Sequence, residues 1–215
     1  SAPTLPPLVL YAGAANGSHL PFLFELFPTV KWVLVDPAPF CAAVHDVFNG
    51  AAPPPAGTDS SESAAKKQRK ETANDARGPI LELLNDYCTD ELCLRMRRKY
   101  QSQYECFLIS DIRLGNPQEM SNKEATEMIQ RDNALQLGFC YALQCSVAML
   151  KFHPPYPRST TDPSDSTPDQ IEYLDGDLYL GVWAPKSSTE VRLVSNGPFA
   201  GTGGASAKTR TYNVV

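Results

Sequence analysis

Residues 8–36 limit the possible fold more than any other part of the chain. Leu8-Val-Leu-Tyr11 is a short apolar run that stops at Ala12-Gly-Ala-Ala-Asn-Gly17. Apolar residues then recur at helical spacing from His19 to Phe27, with Ser18 placed as the cap. A second run, Trp32-Val-Leu-Val35, is continuous and ends at Asp36. A continuous β-branched run is what a strand buried on both faces requires, and that is the condition of a strand inside a parallel sheet. Strand, glycine turn, helix and buried strand together predict a βαβ crossover and so an α/β chain.

The same stretch suggests chemistry. A backbone that bends sharply between strand and helix and approaches a nucleoside closely has no room for side chains, which explains glycine at positions 13 and 17. Asp36 ends the next strand about 20 residues on, the separation at which a carboxylate can accept both hydroxyls of a bound ribose. An adenosine-containing cofactor is one reading. The spacing Gly-x-x-x-Gly lacks one glycine of the dinucleotide fingerprint, so a purely structural tight turn is the other.

Further along, helical spacing predicts helices over Ile80–Tyr87 and Asp90–Tyr100, the second ending in Arg95-Met-Arg-Arg-Lys99, and a long one from about Lys123 to Val147. Cys106-Phe-Leu-Ile-Ser110 and Ala148-Met-Leu-Lys151 read as strands, and Leu178–Trp183 and Val191–Val194 as two more near the C-terminus. Prolines at 154, 155, 157, 163 and 168 predict a rigid, exposed loop, and the tail from Asn196 is Gly- and Ser-rich. Residues 50–78 shift to Ala, Pro, Ser, Glu and Lys, which cannot bury enough apolar surface to offset chain entropy and so read as a disordered insertion in a single domain 1–215. Inside it, Lys66-Lys-Gln-Arg-Lys70 is a nuclear import signal or a solvated charge run.

With 19 Lys+Arg against 24 Asp+Glu, a formal charge of −5 argues against a polyelectrolyte binder of nucleic acid; any contact with RNA needs a local basic patch. No apolar run approaches the roughly 18 residues of a membrane span, so the chain reads as soluble and intracellular. The six cysteines, at 41, 88, 93, 106, 140 and 145, have neither CxxC nor Cys/His zinc spacing and are expected to be reduced, buried thiols, with no metal site.

Ionisable residues stand at several strand ends, where open α/β sheets bind ligands. Asp111 follows one strand, Lys151 ends another and Glu190 opens a third. A lysine between two carboxylates can act as a general base if burial or a neighbouring cation lowers its pKa, while the carboxylates orient it and oppose the shift. An ion-pair set on the surface, worth little, is the alternative.

In Leu10–His19, Val30–Asp36, Leu108–Arg113, Asn133–Gln136, Leu150–Pro157 and Ser188–Leu193, taken in order, the chain resembles the poxvirus cap-specific mRNA 2′-O-methyltransferases, whose viral protein is also the poly(A) polymerase small subunit. The resemblance implies a Rossmann-like S-adenosylmethionine-dependent methyltransferase fold, mostly parallel with a C-terminal antiparallel element. It implies methyl transfer to a ribose 2′-hydroxyl beside a 7-methylguanosine cap by a Lys-Asp-Lys-Glu tetrad. Lys151 matches the second lysine, the general base, and Asp111 and Glu190 its partners. Tyr11, Gly13, Gly17, His19, Asp36 and Arg113 match the cofactor cleft, and Tyr156 one ring of the cap sandwich. Arg158 stands where the viral pocket is acidic. The first tetrad lysine lies upstream in the family, so the chain is expected to be truncated at its N-terminus, or another amine, such as one from Arg95–Lys99, substitutes.

On this reading capped RNA is the partner, with no membrane, and a protein partner in mRNA processing is implied. Arg95, Arg97, Arg98, Lys99, Arg113 and Arg158 would form the RNA surface. The insertion looks cellular, and trypanosomatid flagellates possess similar enzymes, which places the chain in the nucleus; a viral chain would work in the host cytoplasm. Two other readings stand beside this one: a catalytically impaired RNA-binding or polymerase-associated subunit of the same fold, and an NAD-dependent oxidoreductase.

Overall fold

A computed structural model describes residues 5–50, 78–158, 167–181, 190–197, 199 and 208–213. The insertion, with Lys66–Lys70, lies almost wholly outside the described residues, as do the end of the strand expected over Leu178–Trp183 and much of the tail.

Strands β1 (Pro7–Ala12), β2 (Lys31–Val35), β3 (Ile80–Leu84), β4 (Glu105–Ser110) and β5 (Val147–Phe152) are parallel. With β7 (Asp177–Leu180) and β8 (Val191–Asn196) they form a seven-stranded sheet in the order β3-β2-β1-β4-β5-β8-β7, β8 running antiparallel to both its neighbours. β6 (Gln170–Leu174) and β9 (Thr209–Asn213) make a separate antiparallel pair. Between the strands run α1 (Leu20–Leu26), α2 (Ala42–Phe48), α3 (Asp90–Tyr100) and α4 (Asn122–Leu143). This is a Rossmann-like methyltransferase fold, as the sequence led one to expect.

Strand periodicity of two divides the core. Leu8, Leu10, Val33, Val35, Leu108 and Leu150 face α3 and α4, meeting Met96, Tyr100, Phe139 and Leu143. Trp32 and Leu34 face the other way, against Leu20 and Phe24 of α1 and Val44 and Val47 of α2. α4 begins in a capping box, in which Ser121 Oγ accepts from the Glu124 amide while the Glu124 carboxylate accepts from the Ser121 amide. It ends at Gln144, in the left-handed region at φ 52°.

Several expectations need correcting. Ile80–Leu84 is a strand, not the start of a helix: its Leu and Glu favour helix locally, but pairing along β2 overrides that weak preference. Lys99 Nζ and the Tyr100 hydroxyl both donate to Glu82 Oε1, each at 2.7 Å. α1 is not capped by Ser18; its N-cap is His19, without a side-chain cap bond. Pro154 and Pro155 are buried, so the proline stretch is not simply an exposed loop, and β6, which the sequence left unread, follows its last proline. The tail holds β9, because Tyr212 packs on Phe152 at 4.7 Å between ring centroids and Tyr173 stacks on the same ring at 5.7 Å. All six cysteines are free; Cys41 and Cys88 are only half-buried, and Cys88 Sγ lies 3.7 Å from Cys93 Sγ. Among the described residues no helix is long and apolar enough to cross a membrane, and no cluster of potential ligands could hold a metal.

Candidate active site

The strand order reverses between β1 and β4, and in open α/β sheets the crevice beyond the strand ends at that point receives ligands. Gly13 leaves β1 there with φ 78°, and its amide donates to Val35 O at 2.9 Å. A Cβ on Gly13 would come within 2.9 Å of the Asp111 carbonyl carbon, so two chain segments meet with no space for a side chain. Gly17 has φ 73°, and a Cβ there would lie 2.8 Å from Val44 Cγ2. These turns need glycine whatever they bind.

Asp36 is almost buried at the end of β2. Its Oδ2 accepts from the Ala15 amide at 2.7 Å and its Oδ1 from the Ala38 amide at 2.8 Å. Each oxygen keeps a further lone pair, so the carboxylate is held rigidly and can still accept hydroxyl donors. Tyr11 and His19 meet edge to face at 5.8 Å. Burial, assisted by the Asp111 charge, pushes the Tyr11 phenol up to about 12, and burial pushes His19 down. Both are therefore neutral near pH 7.

The next strand ends bring the predicted charged residues together. Lys151 Nζ lies 3.0 Å from Asp111 Oδ1 and 3.3 Å from Glu190 Oε2. Arg192, given no role from sequence, bridges the same carboxylates: Nη2 reaches Asp111 Oδ1 at 3.0 Å and Nη1 reaches Glu190 Oε1 at 2.8 Å. It stands two residues beyond Glu190 on a strand, so period-two spacing was the signal. Arg113 links Glu190 Oε2, at 3.3 Å, to Asp132 Oδ2, at 3.2 Å. Burial would raise the Glu190 pKa, but the Arg192 hydrogen bond and the charges of Lys151, Arg192 and Arg113 outweigh it and hold the carboxyl below its usual range. Gln136 Nε2 donates to Lys151 O at 3.0 Å and fixes the backbone beneath the amine. Beyond Lys151 towards the strand starts, the same face of the sheet carries an apolar groove of about 350 Å³ lined by Val9, Phe27, Trp32, Phe107, Val147 and Met149.

Over 193 residues the chain is 24% identical to the cap-specific mRNA (nucleoside-2′-O-)-methyltransferase of fowlpox virus (strain NVSL), a match covering 87% of this chain and 49% of the viral protein. The likeness supports a relation to the methyltransferases. The chain spans about half the length of that relative, and no known protein-family profile matches the sequence.

A methyltransferase of this fold implies S-adenosylmethionine, and the donor set fits it. Asp36 offers acceptors for ribose hydroxyls, the glycine turn lets backbone approach closely, and Tyr11 with Asp111 suits a cationic sulfonium. Of the remaining candidates, Tyr156 lies near enough to Arg113 and Glu190 to feel their charges, whereas the basic residues are spread apart. Tyr156 stacks on buried His153 at 4.3 Å, with its amide on Thr126 Oγ1 at 3.3 Å. Arg158 turns to Thr167 O at 3.1 Å and to Asp169 at 3.2 Å. Arg95–Lys99 occupy the last turns of α3, which runs back towards the start of β4, so the structure places them at the opposite end of the sheet from Lys151. They do not converge with Arg113 and Arg158 on one RNA surface.

Proposed function

We propose that this chain is an S-adenosylmethionine-dependent methyltransferase acting on a ribose 2′-hydroxyl of capped RNA. The observation that carries the reading is the Lys151 amine held at 3.0 and 3.3 Å between Asp111 and Glu190, beside the crevice where β1 and β4 diverge. The viral relative's 2′-O specificity supports the choice of hydroxyl.

When bound, S-adenosylmethionine supplies the electrophilic methyl group; Tyr11, Gly13, Gly17, His19, Asp36 and Arg113 are the residues that would hold it. The carboxylates aim Lys151 Nζ at the acceptor oxygen; acting as the base in its neutral amine form, Lys151 takes the hydroxyl proton as the oxygen is alkylated and becomes the ammonium that Asp111 and Glu190 hold. Arg192 and Arg113 offset two of the three carboxylates around the site, Asp111, Glu190 and Asp132, so one negative charge is left to orient the lysine. Tyr156 is the ring available for a 7-methylguanine, half-buried and fixed by His153. The Lys66–Lys70 cluster supports a nuclear place of action.

The test is transfer of labelled methyl from S-adenosylmethionine to a short capped RNA by this chain and by Lys151→Ala. Transfer by the parent that the variant loses supports the reading. Cofactor binding without transfer in either favours a non-catalytic RNA-binding subunit, and no cofactor binding overturns both.

A further inference from the structure

Sheet register places an unassigned aromatic residue in line with the lysine. Lys151 on β5 pairs with Arg192 on β8, and Arg192 pairs with Tyr179 on β7. Directly paired residues of antiparallel strands project from the same face. The Arg192 guanidinium reaches Asp111 and Glu190, so the face shared by the whole row is that of the site. Tyr179 therefore stands two strand spacings, about 10 Å, from Lys151. It lies on the side away from Tyr11 and the glycine turn, since β1 and β7 flank β5 from opposite directions.

Tyr179 is 55% exposed, and every residue of β7 is exposed. Arg192, between it and Lys151, has both ends of its guanidinium occupied by carboxylates. The next group able to meet a ligand along the row is thus a flat, uncharged ring. We infer that Tyr179 is a stacking platform for the nucleobase carried by the acceptor ribose.

This inference rests on the proposed ribose methylation. An acceptor 2′-hydroxyl at Lys151 has the cofactor crevice on one side. Its base, joined to the neighbouring ring carbon, has room on the other side, over Arg192 and towards Tyr179. Single-stranded RNA is read in this manner, with splayed bases laid on aromatic rings, and stacking tolerates any base because each has a π face. The platform would position the acceptor nucleotide without selecting its sequence.

The experiment measures anisotropy of a labelled short capped RNA with the 215-residue chain, Tyr179→Ala and Tyr179→Phe, using the intact RNA and one abasic at the acceptor nucleotide. Tyr179→Ala is expected to weaken the intact RNA about five- to tenfold, at the low end for a stacked base. It should leave the abasic RNA and S-adenosylmethionine affinity unchanged. Tyr179→Phe should match the parent. Equal binding by parent and alanine variant, equal losses on both RNAs, or no RNA binding by the parent would each overturn the inference. Cofactor binding and RNA binding without methyl transfer would defeat the enzymatic reading alone, since the comparison of the two RNAs still decides whether Tyr179 stacks.

Discussion

Asp132 and Arg113 form an ion pair at 3.2 Å in which the aspartate is 1% exposed and the arginine 13%. The Leu114 amide also donates to Asp132, at 3.2 Å, so one carboxylate on α4 holds both the side chain and the backbone that follow Asp111. Burial raises the Asp132 pKa, with the Arg113 charge as the main opposing effect. The pair is therefore costly to break from either side. Asp132→Ala should lower unfolding free energy by about 3 kcal/mol, the low end of the penalty for removing one member of a buried pair, because Glu190 still pairs with Arg113. Asp132→Asn, which keeps an acceptor, should lose less. Urea unfolding would measure both. An alanine loss under about 1 kcal/mol would show that Glu190 alone suffices to hold Arg113.

Gly13→Ala should disturb the site through sterics alone. The position combines φ 78° with a Cβ contact of 2.9 Å to Asp111 backbone. Left-handed backbone costs a non-glycine residue about 1–3 kcal/mol, and backbone cannot swing aside as a side-chain tip does. Asp111 must then move away from β1 and carry its contact to Lys151 with it. Loss of thermal stability together with weaker S-adenosylmethionine binding is expected; an unchanged melting temperature would mean that the turn relaxes.

What the sequence made legible follows from where the information lies. β1, α1 and β2 were readable because continuous apolar runs and glycines at positive φ are local signals. Ile80–Leu84 was misread because five residues of Ile, Leu and Glu satisfy both periodicities, and only the neighbouring β2 decides. β6 and β9 went unread since their order comes from Tyr173 and Tyr212 reaching a distant Phe152. Within the site, Lys151, Asp111 and Glu190 were readable as charges at strand ends. Asp132 was not, for an acid in a helix looks solvated until its partner, 19 positions away, is known.

Stability should fall as the solution is acidified below about pH 6.5. His153 is buried against Tyr156, with Nδ1 at the Pro154 carbonyl, and burial holds its pKa below the unfolded value of 6.5. His19 shifts the same way. The folded chain thus binds fewer protons than the unfolded one, so this contribution is complete above 6.5 and is lost as pH drops through the folded values. Glu190, held below 4.5, adds to acid sensitivity only at lower pH. Urea midpoints between about pH 8 and pH 5 should decline for the parent and flatten in His153→Gln, whose midpoint at pH 8 should be lower for lack of the ring contact. An equal slope in both proteins would assign the effect elsewhere.

Lys151→Ala should separate chemistry from cofactor binding. The Lys151 side chain is 17% exposed and lies among residues that stay anchored without it: Arg192 still bridges Asp111 and Glu190, and Asp132 still holds Arg113. The fold and the glycine turn should persist, and S-adenosylmethionine affinity should change little. Methyl transfer should fall by about a hundredfold or more, the range for removing a positioned proton acceptor. Lys151→Arg tests aim against charge. A guanidinium keeps the positive charge but does not take up a proton at neutral pH, so it should remain as inactive as alanine. Substantial activity in the arginine variant would show that the residue acts by orienting the hydroxyl, and the search for the proton's destination would move to Asp111.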